Sequence, residues 1–350
     1  MKTILPSFLD GLRRVGRAPA ILAGVLLLTV LVALPPAIVL RGLLDESLGS
    51  SLAADQAASG VNQEWWEEFS SGATGLGAAF TPQVIGFGGV LDNLSRMLDD
   101  RGYAAAITVV ASGYLLLWTF LLGGILDRYA RSRPTRTQIF FSMCGVFFFR
   151  FLRLGVFALL AYGLLFGPIH AWMFDLFYPW ATSDWSVERN AFFLRLALYL
   201  VFGAMLVAVN VLLDYAKVRA VVEDRRSAVG ALMAAFRFIR RHPLPVFGLY
   251  ALNGAVFVLI LALYALVAPG ARGGWFPWVG FVVTELYLLA RLALKLTFYA
   301  SETSLFQRLL AHAEYTAAPL PVWPESPAAE AIAPPPPRRD VEGGDLERKA

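Results

Sequence analysis

The chain has 350 residues, 57% hydrophobic and 16% charged, with a mean hydropathy of +0.60, whereas soluble domains carry about 25% charge. This composition points to an integral membrane protein. The single cysteine, Cys144, excludes an internal disulfide and a multi-cysteine metal site, three histidines argue against a histidine-rich metal or haem centre, and the small net charge of +4 gives no reason to expect a nucleic-acid partner.

In chain order, a basic N-terminal stretch with Lys2, Arg13, Arg14 and Arg17 precedes the first apolar run, Pro19–Leu40. A signal peptide is the competing reading of that run. Its length, its Pro35-Pro36 pair and the lack of an Ala-x-Ala cleavage pattern favour a membrane span. An insertion over 42–102 follows, acidic at Glu64, Glu67 and Glu68 and glycine-rich at Ser70–Gly89. Val90–Leu98 has apolar residues at helical spacing, and the insertion is expected to cap the outer membrane face.

Five more runs are long enough for about 20 helical residues in hydrocarbon. They are Ala104–Leu126, Val156–Phe174, Phe192–Leu213, Val246–Val267 and Trp275–Leu296. Lone segments in lipid must be helical to satisfy their backbone groups. The third contains Gly163-x-x-x-Gly167 followed by Pro168, which allows either close helix contact or a kink. The last 32 residues, 319–350, with Pro334–Pro337, are expected to be disordered.

Arginine and lysine are concentrated in the N-terminal stretch, after the second run and after the fourth. Nine acids against three bases mark the segment Arg41–Arg101. The bias toward basic residues places both termini in the cytoplasm. The Ala/Leu/Arg/Gly-rich composition suggests a bacterial inner membrane, with membrane lipids as the constant partner.

Two marks recur. Leu12–Pro19, Phe149–Arg153 and Phe236–Pro243 each place an apolar residue before an arginine and a second base three or four residues later. Such segments predict amphipathic helices lying in the interface plane, with Arg13, Arg17, Arg150, Arg153, Arg237, Arg240 and Arg241 facing headgroups. The second mark, Tyr129-Ala130, Tyr215-Ala216 and Tyr299-Ala300, stands where the second, fourth and sixth runs return. Together they predict an all-α membrane protein of six transmembrane helices, arranged as three parallel hairpin repeats, each preceded by an amphipathic interfacial helix and forming one domain over 1–318.

Gly16-Arg17-Ala18-Pro19 and Phe236–Pro243, with the hairpin layout, resemble poorly characterised bacterial six-helix membrane families. These include the membrane domain attached to some glycerophosphodiester phosphodiesterases. The resemblance carries no catalytic residue across, and the chain has no room for the soluble phosphodiesterase barrel.

Phosphate-loop, HExxH and GxSxG motifs are missing from the sequence, so no enzymatic activity and no cofactor are expected. The sixth run carries charge at Glu285, Arg291 and Lys295, where the repeat equivalents are apolar: Leu115 and Val201, Leu121 and Val207, Ile125 and Val211. An intramembrane charge is costly unless paired or hydrated. Glu285 either pairs structurally, with a base or with Asn210 or Asn253, or lines a polar path. The chain therefore reads as a non-enzymatic scaffold, assembly factor or accessory subunit, with other membrane subunits as possible partners. The alternative is a transporter, channel or lipid-handling protein using the polar residues of the sixth helix.

Overall fold

The computed structural model describes residues 3–49, 51–59, 62–80, 87–132, 134–267 and 276–310. They fall within one compact unit, 1–318. The proline-rich tail expected to be disordered lies outside the described residues.

Every regular element among them is helical. In order these are α1 (Ile4–Gly16), α2 (Pro19–Leu48), α3 (Ala54–Ser59), α4 (Gln63–Gly72), α5 (Phe87–Leu98) and α6 (Ala105–Arg131). Then follow α7 (Thr137–Leu164), α8 (Tyr178–Thr182), α9 (Glu188–Val222), α10 (Ala228–Arg241), α11 (Pro243–Val267) and α12 (Phe276–Leu309). Two π-helical stretches, Leu165–Ile169 and Trp172–Phe177, carry α7 on toward α8. Five helical stretches are long and apolar enough to cross a membrane: α2, α6, the run Thr137–Thr182, α9 and α11. The expected sixth, α12, is 34 residues long but carries Glu285, Arg291 and Lys295 and does not join that set.

Proline decides where the basic segments bend. A residue before proline is pushed out of the α region, and proline suits a helix's first turn. Ala18 has φ −134° and ψ 54° before Pro19; His242 has φ −131° and ψ 52° before Pro243. The two elbows share one backbone geometry, and each separates a short helix, α1 or α10, from a long one. At the third expected site, Arg150–Arg153, no proline follows and α7 runs unbroken from Thr137. Two separate elbow helices therefore stand where three were expected.

Pro168 falls within a π-helical stretch, which accommodates the lost backbone donor by a local adjustment of the helix. A Cβ added at Gly163 or Gly167 would meet nothing within 4 Å. Among the described residues, that glycine pair therefore makes no close helix contact.

The Tyr-Ala marks form the inner core at the end of the fold carrying α1 and α10. Tyr129, Ala130, Tyr215, Ala216 and Ala300 are buried. Here α1 packs along α12 through Gly11, where an added Cβ would stand 2.7 Å from the Ser301 backbone nitrogen. The face of α1 opposite Gly11 is apolar and exposed at Leu5, Leu9 and Leu12. Its counterpart on α10 is Val229, Met233 and Phe236.

At the other end, α4 of the insertion is tied to α2 by the Trp65 indole donating to Ser47 Oγ at 3.1 Å. The end of α5 reaches the third and fourth runs. The His170 ring nitrogen Nε2 lies 2.9 Å from the Leu98 carbonyl, and Tyr199 donates to Asp99. Residues 81–86 of its glycine-rich part lie outside the described residues.

Candidate functional site

Helices α2, α6, α9, α11 and α12 line an open cavity of about 710 Å³. Toward the α5 end its wall is apolar: Val32 and Ala33 on α2, Ile107 and Val110 on α6, Phe257 on α11 and Leu288 on α12. Toward the α1 end it is polar, with Asn210, Asp214 and Lys217 on α9, Tyr250 on α11, and Lys295 and Tyr299 on α12. Arg291 lines the middle. The cavity is thus amphipathic along its length.

Three cations and one acid line it. Lys217 Nζ donates to Asp214 Oδ1 at 2.9 Å and forms an ion pair. Lys295 has no carboxylate partner among the described residues. Its ammonium stands 3.6 Å above the Trp118 ring centroid and 5.9 Å from that of Tyr114. Arg291 has none either and lies 5.9 Å over the Phe257 ring. Arg291 is exposed and Lys295 half-buried. A cation over an aromatic face gains about 0.5–1 kcal/mol at an exposed site and about 2 kcal/mol when desolvated. Arg291 and Leu288 also line a second cavity, of about 890 Å³, bounded by α5 and α12. One guanidinium therefore stands in the wall common to both spaces.

Neutral polar groups hold the wall in place. Asn210 donates to the Tyr250 hydroxyl at 2.7 Å and accepts from Tyr162 at 3.4 Å, joining α7, α9 and α11. Trp118 donates to the Tyr299 hydroxyl at 3.4 Å, which fixes the ring beneath Lys295. Beyond the expected end of the sixth run, Ser301, Glu302, Thr303 and Ser304 are all buried. Neither Glu302 carboxylate oxygen has a hydrogen-bond partner among the described residues.

Of the five polar residues expected to form a site, the cavity brings together Arg291, Lys295 and Asn210. Glu285 is half-buried on α12, lies off the cavity wall, and has no hydrogen bond or ion pair among the described residues. Asn253 is fully buried but donates to the Leu249 carbonyl and to Ser301 Oγ, so it ties α11 to α12. Lys217 and Asp214 complete the site. Sequence reasoning passed over them because they resemble the charged flank that follows any returning helix.

Among the arginines expected at headgroups, Arg13, Arg17, Arg153, Arg237, Arg240 and Arg241 are exposed. Arg150 is instead half-buried, paired with Asp224 at 2.5 Å and stacked 4.9 Å over Phe147. Arg14, adjacent to Arg13, turns inward. It donates to Asp10, to the Tyr129 carbonyl and to Gln307.

No protein-family model, curated protein or solved structure matches the chain.

Proposed function

We propose that this is a six-helix integral membrane protein, with α12 as the sixth span, that binds an amphiphile bearing one anionic group in its central cavity and acts in transport or lipid handling. The observation that carries the reading is that, among the described residues, Arg291 and Lys295 have no carboxylate partner in a cavity that is apolar at one end. A ligand carboxylate or phosphate between these cations and Lys217 supplies the missing negative charge. Its chain occupies the wall formed by Val32, Ile107, Val110 and Phe257. An accessory-subunit role rests on empty motif scans, the basic interfacial segments and the proline-rich tail, none of which specifies a ligand, whereas the cavity offers a ligand both charge and room, so the transport or lipid-handling reading is preferred.

The same reading places both termini in the cytoplasm, where α1 and α10 carry Arg13, Arg17, Arg237, Arg240 and Arg241 beside exposed apolar side chains. The host membrane is proposed, from composition, to be a bacterial inner membrane. That the three hairpins descend from one repeat is supported by the matched elbows of the first and third and by the buried alanine of each Tyr-Ala mark.

Thermal unfolding of the purified full-length protein in mild detergent tests the ligand class. A ligand at a hundred times its Kd adds about 2.7 kcal/mol of stability. Dodecyl phosphate should raise Tm by several degrees, while dodecyltrimethylammonium should not. Equal stabilisation by both would show that the cavity selects for the chain and not for the charge.

A further inference from the structure

The elbow between α1 and α2 bears a second space, separate from the central cavity. It is a groove of about 520 Å³ between α2, α6 and α7. Its mouth holds two arginines. Arg17 is exposed; Arg128 is 8% exposed and donates to the Arg17 carbonyl at 3.3 Å. Neither is paired with a carboxylate among the described residues. The adjacent Asp127 is taken by Arg131 at 2.9 Å. Thr135 and Thr137 bring hydroxyls to the same mouth. Behind it the groove is apolar, running over Gly24 and Leu28 of α2 between Leu121 and Phe140.

The second elbow shows what fills such a groove. The same 224 residues separate Arg13 from Arg237, Pro19 from Pro243 and Gly24 from Gly248. At Gly248 an added Cβ would meet Ile4 Cδ1 at 2.6 Å, so a side chain of α1 occupies that position. At Gly24 an added Cβ would meet nothing within 4 Å. The two elbows match in backbone, yet among the described residues a side chain fills only one of them. On α2 the sole buried residue is Val25, and no described neighbour comes within 4 Å of a Cβ built at Gly24.

From these observations we propose that the α1–α2 elbow binds an anionic glycerophospholipid, with its phosphodiester between Arg17 and Arg128 and one acyl chain over Gly24. The unpaired guanidiniums supply bidentate donors suited to phosphate geometry. The missing side chain at Gly24 gives the acyl chain room where Ile4 lies in the other elbow. The site stands independently of the ligand proposed for the central cavity.

The test is lipid retention by the full-length protein, exchanged into detergent from nanodiscs of phosphatidylglycerol or of phosphatidylcholine and read by native mass spectrometry. The wild-type protein should retain one phosphatidylglycerol per chain in preference to phosphatidylcholine. Arg17→Gln removes a charged hydrogen-bond donor from an exposed position and should weaken retention about tenfold. Gly24→Leu, whose Cβ would meet nothing within 4 Å, puts a side chain into the groove and should abolish retention at unchanged Tm. Arg128→Lys, which keeps the charge of the less exposed partner, should weaken retention less than Arg17→Gln. Equal retention of the two lipids, or retention that survives Gly24→Leu, would overturn the proposal. So would inorganic phosphate displacing the lipid at equal affinity, which would mark a free-anion site.

Discussion

Asp10 shows how one carboxylate can fasten a helix. It accepts from Ser304 Oγ at 2.7 Å and from Arg14 Nε at 2.9 Å, while Arg14 reaches on to the Tyr129 carbonyl and Gln307. Three helices, α1, α6 and α12, meet in this knot. Burial pushes the Asp10 carboxyl up, but the Ser304 hydroxyl and the Arg14 guanidinium outweigh it, so the net shift is downward. A lowered folded pKa means that the stabilisation is complete above the ordinary carboxylate value, near 3.9, and is lost as pH falls through the lower folded value. Release of α1 below about pH 4 is therefore expected, seen as faster amide exchange over 4–16 while the other helices stay protected. Asp10→Asn should loosen α1 at neutral pH by about 1.5–3 kcal/mol, the range for a hydrogen bond to a charged group. Periodicity could not separate Arg13 from Arg14, because adjacent residues on a basic helix look alike until the partner helix is known. Glu285 teaches the converse. Its charge drew notice in the sequence, but it lies off the cavity wall, so Glu285→Gln should leave dodecyl phosphate binding unchanged in the same thermal assay.

At the scale of elements, the elbows were legible because proline has a local and obligatory effect on the residue before it. The third elbow was expected from the arginines alone and is missing, because Arg150–Arg153 lacks the proline that Pro19 and Pro243 supply and α7 runs through it. The crossing of α1 on α12 was not. Gly11 reads as one more small residue until Ser301 is seen 2.7 Å from where its Cβ would stand. Backbone cannot yield as a flexible side chain can, so Gly11→Ala is expected to lift α1 from α12 and cost about 1–3 kcal/mol, as overpacking does. Limited trypsinolysis after Arg13 and Arg17 would report it as faster cleavage. The buried run Ser301–Ser304 was also hidden. Hydropathy ends the sixth run at Leu296, yet α12 continues to Leu309 because α1 and the ends of α6 and α9 cover its polar side.

For the molecule as a whole, hydropathy gave the long helices, while the cavity required knowing which faces meet. The sequence already held one clue to it: at Arg291 and Lys295 the third hairpin departs from apolar equivalents, Leu121 and Ile125 in the first. That departure supplies the most direct test of the account. The double variant Arg291→Leu, Lys295→Ile gives the third hairpin the residues of the first. With α12 read as the sixth span, replacing unpaired charges by apolar groups removes a cost of about 2.5–3.5 kcal/mol for each charge at the helix centre. If the two cations exist to hold an anion, the variant will unfold at a higher temperature than the wild type and will no longer bind dodecyl phosphate when titrated in mild detergent. If they serve the fold instead, it will unfold at a lower temperature, or bind the amphiphile as the wild type does, and either result contradicts the cavity as an anion site.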